Sequence, residues 1–114
     1  KSEPVHNEKQ EIDILTDYID HHLEMDLTLE ILAAQVHFST YYLSRYFKKL
    51  TGKNITQYIK EKRVERAKKF LQSGNLSVGD VCYLCGFKSL SNFRKYFTET
   101  TGVSPNTYKK QKGI

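Results

Sequence analysis

Apolar residues recur along this chain at helical intervals, and nowhere with the strict alternation of a strand. From about Glu8 to Met25 the positions Ile12, Leu15, Ile19 and Leu23 form one stripe, widened by Ile14 and Tyr18, which predicts an amphipathic helix. His21 and His22 near its end suit the negative C-terminal pole of a helix, or plain solvation. Thr28 is a good N-cap, and Leu29, Leu32, Ala33 and Val36 give a second helix an apolar face that stops near His37-Phe38. Ser39 opens a third helix. After Gly52, Asn54-Ile-Thr-Gln57 has the form of a capping box. A long helix then runs to about Ser73, with Ile55, Tyr58, Ile59, Ala67, Phe70 and Leu71 inward. Arg63 falls on that inward stripe and is expected to be partly buried and paired. Beyond the Ser73-Gly74-Asn75 turn, Ser77 caps a fifth helix whose apolar face is Val81, Leu84 and Cys85. Gly86-Phe87 makes the next turn, Ser89–Thr100 a sixth helix, and Ser104-Pro105 opens a short closing helix through Tyr108.

The pattern therefore predicts an all-α fold of about seven helices, containing a duplication. Sliding the sequence by 50 residues pairs Ser39 with Ser89, Leu43 with Phe93, Arg45 with Lys95, Tyr46 with Tyr96 and Phe47 with Phe97. The same shift pairs Thr51 with Thr101, Gly52 with Gly102 and Tyr58 with Tyr108. The expected organisation is a linker remnant over 1–8, a helix-turn-helix subdomain over 9–53, a linker helix over 54–73 and a second helix-turn-helix subdomain over 74–114.

Charge sharpens this picture. Residues 1–30 carry two Lys/Arg against nine Asp/Glu, a net of −7, whereas residues 31–114 carry sixteen against four, a net of +12. A positive surplus spread over the repeated region favours a polyanion as partner. An anionic membrane is the weaker alternative, because the apolar stripes read as core rather than as an exposed anchor. No apolar run approaches the ~20 residues of a membrane helix, and no signal peptide is visible. The chain begins at Lys1 and its only methionine is Met25, so it reads as a piece of something longer. Cys82 and Cys85 form a lone C-x-x-C. A zinc site needs two more ligands and a thioredoxin-like motif needs a βαβ setting, so both read as small buried residues. No metal and no cofactor are implied. Nor is an enzyme: paired carboxylates, a nucleophile–base pair and a phosphate-cradling Gly loop are all missing from the pattern.

The run Leu32-Ala33, Ser39, Tyr42-Leu43-Ser44-Arg45, Phe47-Lys48-Lys49, Thr51-Gly52, Tyr58-Ile59, Arg63 and Ala67 resembles the C-terminal DNA-binding domain of AraC/XylS-type bacterial transcription regulators. So do Val81, Gly86-Phe87, Phe93, Phe97, Gly102, Pro105 and Tyr108. The resemblance covers roughly residues 12–110. It departs from the family pattern at Cys82, where Ala is usual, at Thr98-Glu99, where a basic pair is usual, and at Lys109, where Arg is usual.

The resemblance implies a cytoplasmic regulator that binds double-stranded DNA, with one recognition helix per half (39–50 and 89–100) in successive major-groove segments of a non-palindromic site. Carried over position by position, the base-facing residues are Thr40, Tyr41, Ser44 and Arg45 in the first half and Leu90, Ser91, Asn92 and Lys95 in the second. Their chemistry agrees, since Arg can fork onto guanine, Asn can pair with adenine, and Leu or Tyr can touch a thymine methyl. Lys48, Lys49, Lys88 and Arg94, with the cap residues Ser39 and Ser89, read as phosphate contacts, which position without specifying. Such regulators also touch RNA polymerase and carry an N-terminal sensor or dimerisation domain, which this chain lacks. The alternative from another class is a basic helical interaction module docking an acidic partner such as RNA polymerase.

Overall fold

The computed structural model describes residues 8–112, which form seven α-helices and no strand among them. They are α1 (Glu8–His21), α2 (Leu29–Gln35), α3 (Thr40–Thr51), α4 (Ile55–Ser73), α5 (Val78–Leu84), α6 (Leu90–Thr101) and α7 (Pro105–Lys112). The linker expected over 1–8 lies, apart from Glu8, outside the described residues.

Two compact units make up the chain. The first holds α1, α2, α3 and the start of α4 as far as Tyr58. The second holds the rest of α4, then α5, α6 and α7, together with the short segment Leu23–Met25.

In the first unit, α1 packs on α2 and α3, and its Leu15 and Ile19 are buried, as are Leu32, Ala33 and Val36 of the second helix and its cap and Leu43, Tyr46 and Phe47 of α3. Helix α1 is shorter than its apolar stripe suggests and does not reach Met25. The His22 N–H turns back to the Ile19 carbonyl (3.1 Å), an i→i−3 bond that tightens and closes the last turn. Nδ1–H of His21 donates to the Asp17 carbonyl (2.8 Å) and that of His22 to the Tyr18 carbonyl (2.7 Å), so both rings serve the helix end. Met25 is exposed.

In the second unit, Val64, Ala67 and Leu71 of α4 close against Val78, Val81, Cys82, Cys85, Phe87, Phe93, Phe97 and Tyr108. Two inward assignments change here. Leu84 is exposed, and Cys82 with Val78 takes the inner face of α5, because residues 78, 81, 82 and 85 share one side of the helix. Val64, beside Arg63, is the fully buried residue of that stretch of α4, and Arg63 itself is partly buried. Arg63 is paired as anticipated, with backbone: Nε–H donates to the Leu23 carbonyl (3.0 Å) and Nη2 to the Met25 carbonyl (2.9 Å). Helix α7 runs past Tyr108 to Lys112, and the Lys109 ammonium donates to the Leu76 carbonyl (2.8 Å).

Candidate nucleic-acid interface

Each unit contains a helix pair joined by the same turn. In the first, the Phe38 N–H reaches the Ala33 carbonyl (3.0 Å) and the His37 N–H the Ala34 carbonyl (3.4 Å), with His37 in the left-handed region at φ 58°. In the second, Phe87 reaches Cys82 (3.0 Å) and Gly86 reaches Tyr83 (3.0 Å), with Gly86 at φ 88°. This pair of bonds satisfies the last carbonyls of the leading helix and turns the chain sharply. The leading helices start alike, with Thr28 Oγ1 accepting from Ile31 N–H (3.1 Å) and Ser77 Oγ from Asp80 N–H (3.0 Å). In the first unit Phe38 fills the turn, edge-on to Tyr42 and Tyr46 at 4.8 and 5.0 Å between ring centres.

The following helix is the candidate reader. Ser39 caps α3 by accepting from Tyr42 N–H (3.1 Å), and Ser89 caps α6 by accepting from Asn92 N–H (3.2 Å). Burying Leu43, Tyr46 and Phe47 leaves Tyr41, Arg45, Lys48 and Lys49 on the exposed side of α3, with Thr40 and Ser44 half-buried beside them. Burying Phe93 and Phe97 leaves Ser91, Asn92, Arg94 and Lys95 exposed on α6, with Lys88 exposed just ahead of it. Leu90 differs from its neighbours. It is half-buried and packs against the second core, so only part of its side chain faces outward. The cap hydroxyls of Ser39 and Ser89 each spend an acceptor on the helix start and keep a proton to donate to an anion.

On α3 two of these residues are joined. Arg45 Nη1 donates to the Tyr41 hydroxyl (3.2 Å), and its guanidinium carbon lies 5.5 Å from the Tyr41 ring centre. On α6 the structure adds a residue that sequence pattern did not single out. Lys60 of α4 donates to the Tyr96 hydroxyl (2.7 Å), with its ammonium 4.0 Å from the ring centre. Their separation of 36 positions in sequence leaves no local signal for that contact.

Both thiols are free and fully buried in the second core. Burial pushes the Cys85 thiol up to about 12, with Arg66 and Arg63 opposing and Cys82 adding to the rise. Burial also raises Cys82, against the pull of Arg94. Among the described residues no group of three or more His, Cys, Asp or Glu is placed to hold a metal ion. No helix among them is long and apolar enough to cross a membrane.

Residues 32–111, which span both turns and both candidate readers, match the helix-turn-helix domain family, and the fold matches an AraC-type regulator from Chromobacterium violaceum at a TM-score of 0.84. The chain belongs to the AraC/XylS-type helix-turn-helix family. That Chromobacterium regulator is 24% identical, covering 91% of this chain and 93% of its own. The chain is similar to the bifunctional transcriptional activator/DNA repair enzyme AdaA of Bacillus subtilis, 37% identical over 98 residues and 86% of this chain. The chain spans 46% of AdaA, less than half of that relative's length. The fold is also similar to the DNA-binding domain of the global transcriptional factor AdpA, solved in complex with a target DNA. It is 30% identical with a TM-score of 0.81, covering 89% of this chain and 90% of that one.

Proposed function

We propose that this chain is the sequence-specific, double-stranded-DNA-binding domain of a bacterial transcription regulator, with α3 and α6 in successive major-groove segments of a non-palindromic site. One observation carries the reading. Each unit turns through the same carbonyl-capping bonds into a serine-capped helix whose outer face is polar and basic. Likeness to a domain solved on its target DNA supports it. Tyr41, Arg45, Thr40 and Ser44 face bases in one segment. Asn92, Ser91, Lys95 and the outward part of Leu90 face them in the other. Ser39, Lys48, Lys49, Lys88, Ser89 and Arg94 hold phosphates. The domain performs no reaction of its own. Its place is the bacterial cytoplasm, attached to an N-terminal sensor or dimerisation domain, with RNA polymerase as a second partner.

Selection from a random duplex pool, followed by an affinity matrix of variants against single-base changes across a salt series, tests this reading. Arg45→Ala should cost about 1–3 kcal/mol and relax preference at one or two base pairs, and Lys95→Ala should do so at different ones. Lys48→Ala should weaken all sequences alike and lower the salt slope by about one. Arg45 and Lys95 substitutions acting on the same base pairs, or affinity indifferent to salt, would overturn the two-reader scheme.

A further inference from the structure

The Tyr41–Arg45 pair carries an inference about what α3 reads, and it rests on the DNA-binding reading above. Nη1 is the guanidinium nitrogen engaged by the Tyr41 hydroxyl, at 3.2 Å. The bond leaves intact the opposite edge, where Nε–H and an Nη2–H run parallel as a two-donor fork. That fork matches the two acceptors, O6 and N7, that guanine alone presents side by side in the major groove. A long arginine side chain normally loses much rotamer freedom on docking. The tether to an aromatic residue one helical turn earlier restrains it beforehand.

Tyr41 is itself 70% exposed, so its ring remains available on the same face. The Tyr41 hydroxyl accepts from Arg45 and keeps its own proton, while the ring edge beside it offers a neighbouring base apolar carbon. The one apolar group on a major-groove base edge is the 5-methyl of thymine. Adjacent base pairs are about 3.4 Å apart, so a ring whose centre lies 5.5 Å from the guanidinium carbon has its edge within reach of the next pair.

We propose that Tyr41 and Arg45 act as one coupled reader of a two-base step, a guanine held by the Nε–Nη2 fork and an adjoining thymine held through its methyl by the Tyr41 ring. Specificity in the first half-site then belongs to the pair, and the tyrosine hydroxyl contributes to guanine recognition without touching guanine.

The test uses the whole chain and the duplex it selects from a random pool. The guanine in question is the one whose preference Arg45→Ala relaxes. Replacing thymine beside it with deoxyuridine removes only the methyl, and should weaken wild-type binding about fourfold, the worth of one methyl group taken out of water. Tyr41→Ala should bind the two duplexes equally. Tyr41→Phe should keep the methyl response yet lose part of the guanine preference, because the ring stays and the tether goes. Tyr41 is exposed enough that neither change should alter the thermal midpoint. Indifference of the wild type to deoxyuridine, a selected site with no thymine beside that guanine, or an unchanged guanine preference in Tyr41→Phe would each overturn the inference. A pool that yields no selected sequence would overturn the DNA reading itself, and this inference with it.

Discussion

Thr51 and Thr101 make the same three hydrogen-bonding contacts at the ends of α3 and α6. Each Oγ1 lies 2.8 Å from the carbonyl four residues back, on Phe47 and Phe97. It also lies 3.1 and 3.0 Å from the carbonyls of Lys53 and Val103, and it accepts from those residues' N–H groups at 3.2 and 3.3 Å. The hydroxyl thus stitches each helix end to the chain leaving it, around a glycine at φ 80° or 85°. Thr51→Val and Thr101→Val keep the shape and remove the stitch. Each should cost about 1–2 kcal/mol, the worth of the bonds lost at a half-exposed site. Urea unfolding measures both. A large difference between the two variants would mean the equivalent geometry is not equivalent in energy.

The glycines do not share one reason for being glycine. A Cβ on Gly52 would meet nothing within 4 Å, so Gly52→Ala costs only the left-handed backbone, about 1–2 kcal/mol. A Cβ on Gly86 would overlap the Leu23 carbonyl oxygen and come within 2.8 Å of Arg63 Nε. Gly86→Ala must therefore displace backbone as well, and should be the more damaging by a clear margin. Thermal unfolding of the two variants decides it, and equal losses would count against the close approach.

Alkali should loosen the fold through its buried thiols. Folding raises Cys85 to about 12 from an ordinary 9.0, chiefly by burial, and burial raises Cys82 and Tyr58 too. Below pH 9.0 the Cys85 thiol is protonated in both folded and unfolded chains, and its contribution is fully present. Between there and about 12 the unfolded chain sheds the proton while the folded chain keeps it, so stability falls with rising pH. The limiting slope for one such group is about 1.4 kcal/mol per pH unit. Cys85→Ala should flatten the fall in the urea midpoint between pH 8 and pH 11. A wild-type midpoint that holds steady over that range would refute the account.

Lys60 should matter to α6 out of proportion to its place on α4. Lys60→Met removes both the 2.7 Å bond to Tyr96 and the ammonium beside the ring, and should cost about 1–2 kcal/mol. Tyr96→Phe keeps the ring and should cost roughly half as much. Differential scanning calorimetry on both variants checks the order, which should not invert.

Much of this architecture can be read from residue order, because its devices are local. Thr28, Ser39, Ser77, Ser89 and Ser104 each cap the helix that begins just after them, as their side chains and positions indicate. The exposed sides of α3 and α6 follow from the same periodicity, since Leu43 and Phe47, or Phe93 and Phe97, fix which side of a helix turns inward. What escaped was either too short or too distant. Helix α5 has seven residues, too few for its period to outvote the hydrophobic character of Leu84. Arg63 finds its carbonyls 38 and 40 residues away, and Lys60 its tyrosine 36 away. The repeat also changes step. The two turns are 49 residues apart, Phe38 to Phe87, whereas the caps Ser39 and Ser89 are 50 apart. Lys88 is the additional residue, and the cap geometry differs accordingly, with φ −72° at Ser39 and −132° at Ser89.

The segment Leu23–Met25 gives the duplication an asymmetry that bears on how this domain can be cut. In sequence it lies among the first helices, yet it packs with the second unit, where Arg63 holds its carbonyls and Glu24 lies 3.6 Å from Arg66. The natural-looking seam before Asn54 is therefore a false one. A fragment beginning there would strip Arg63 of both acceptors and uncover the turn at Gly86. The halves repeat one another as patterns, but the later half borrows three residues from the earlier, so a cut at the repeat boundary leaves that later half short of part of its own packing.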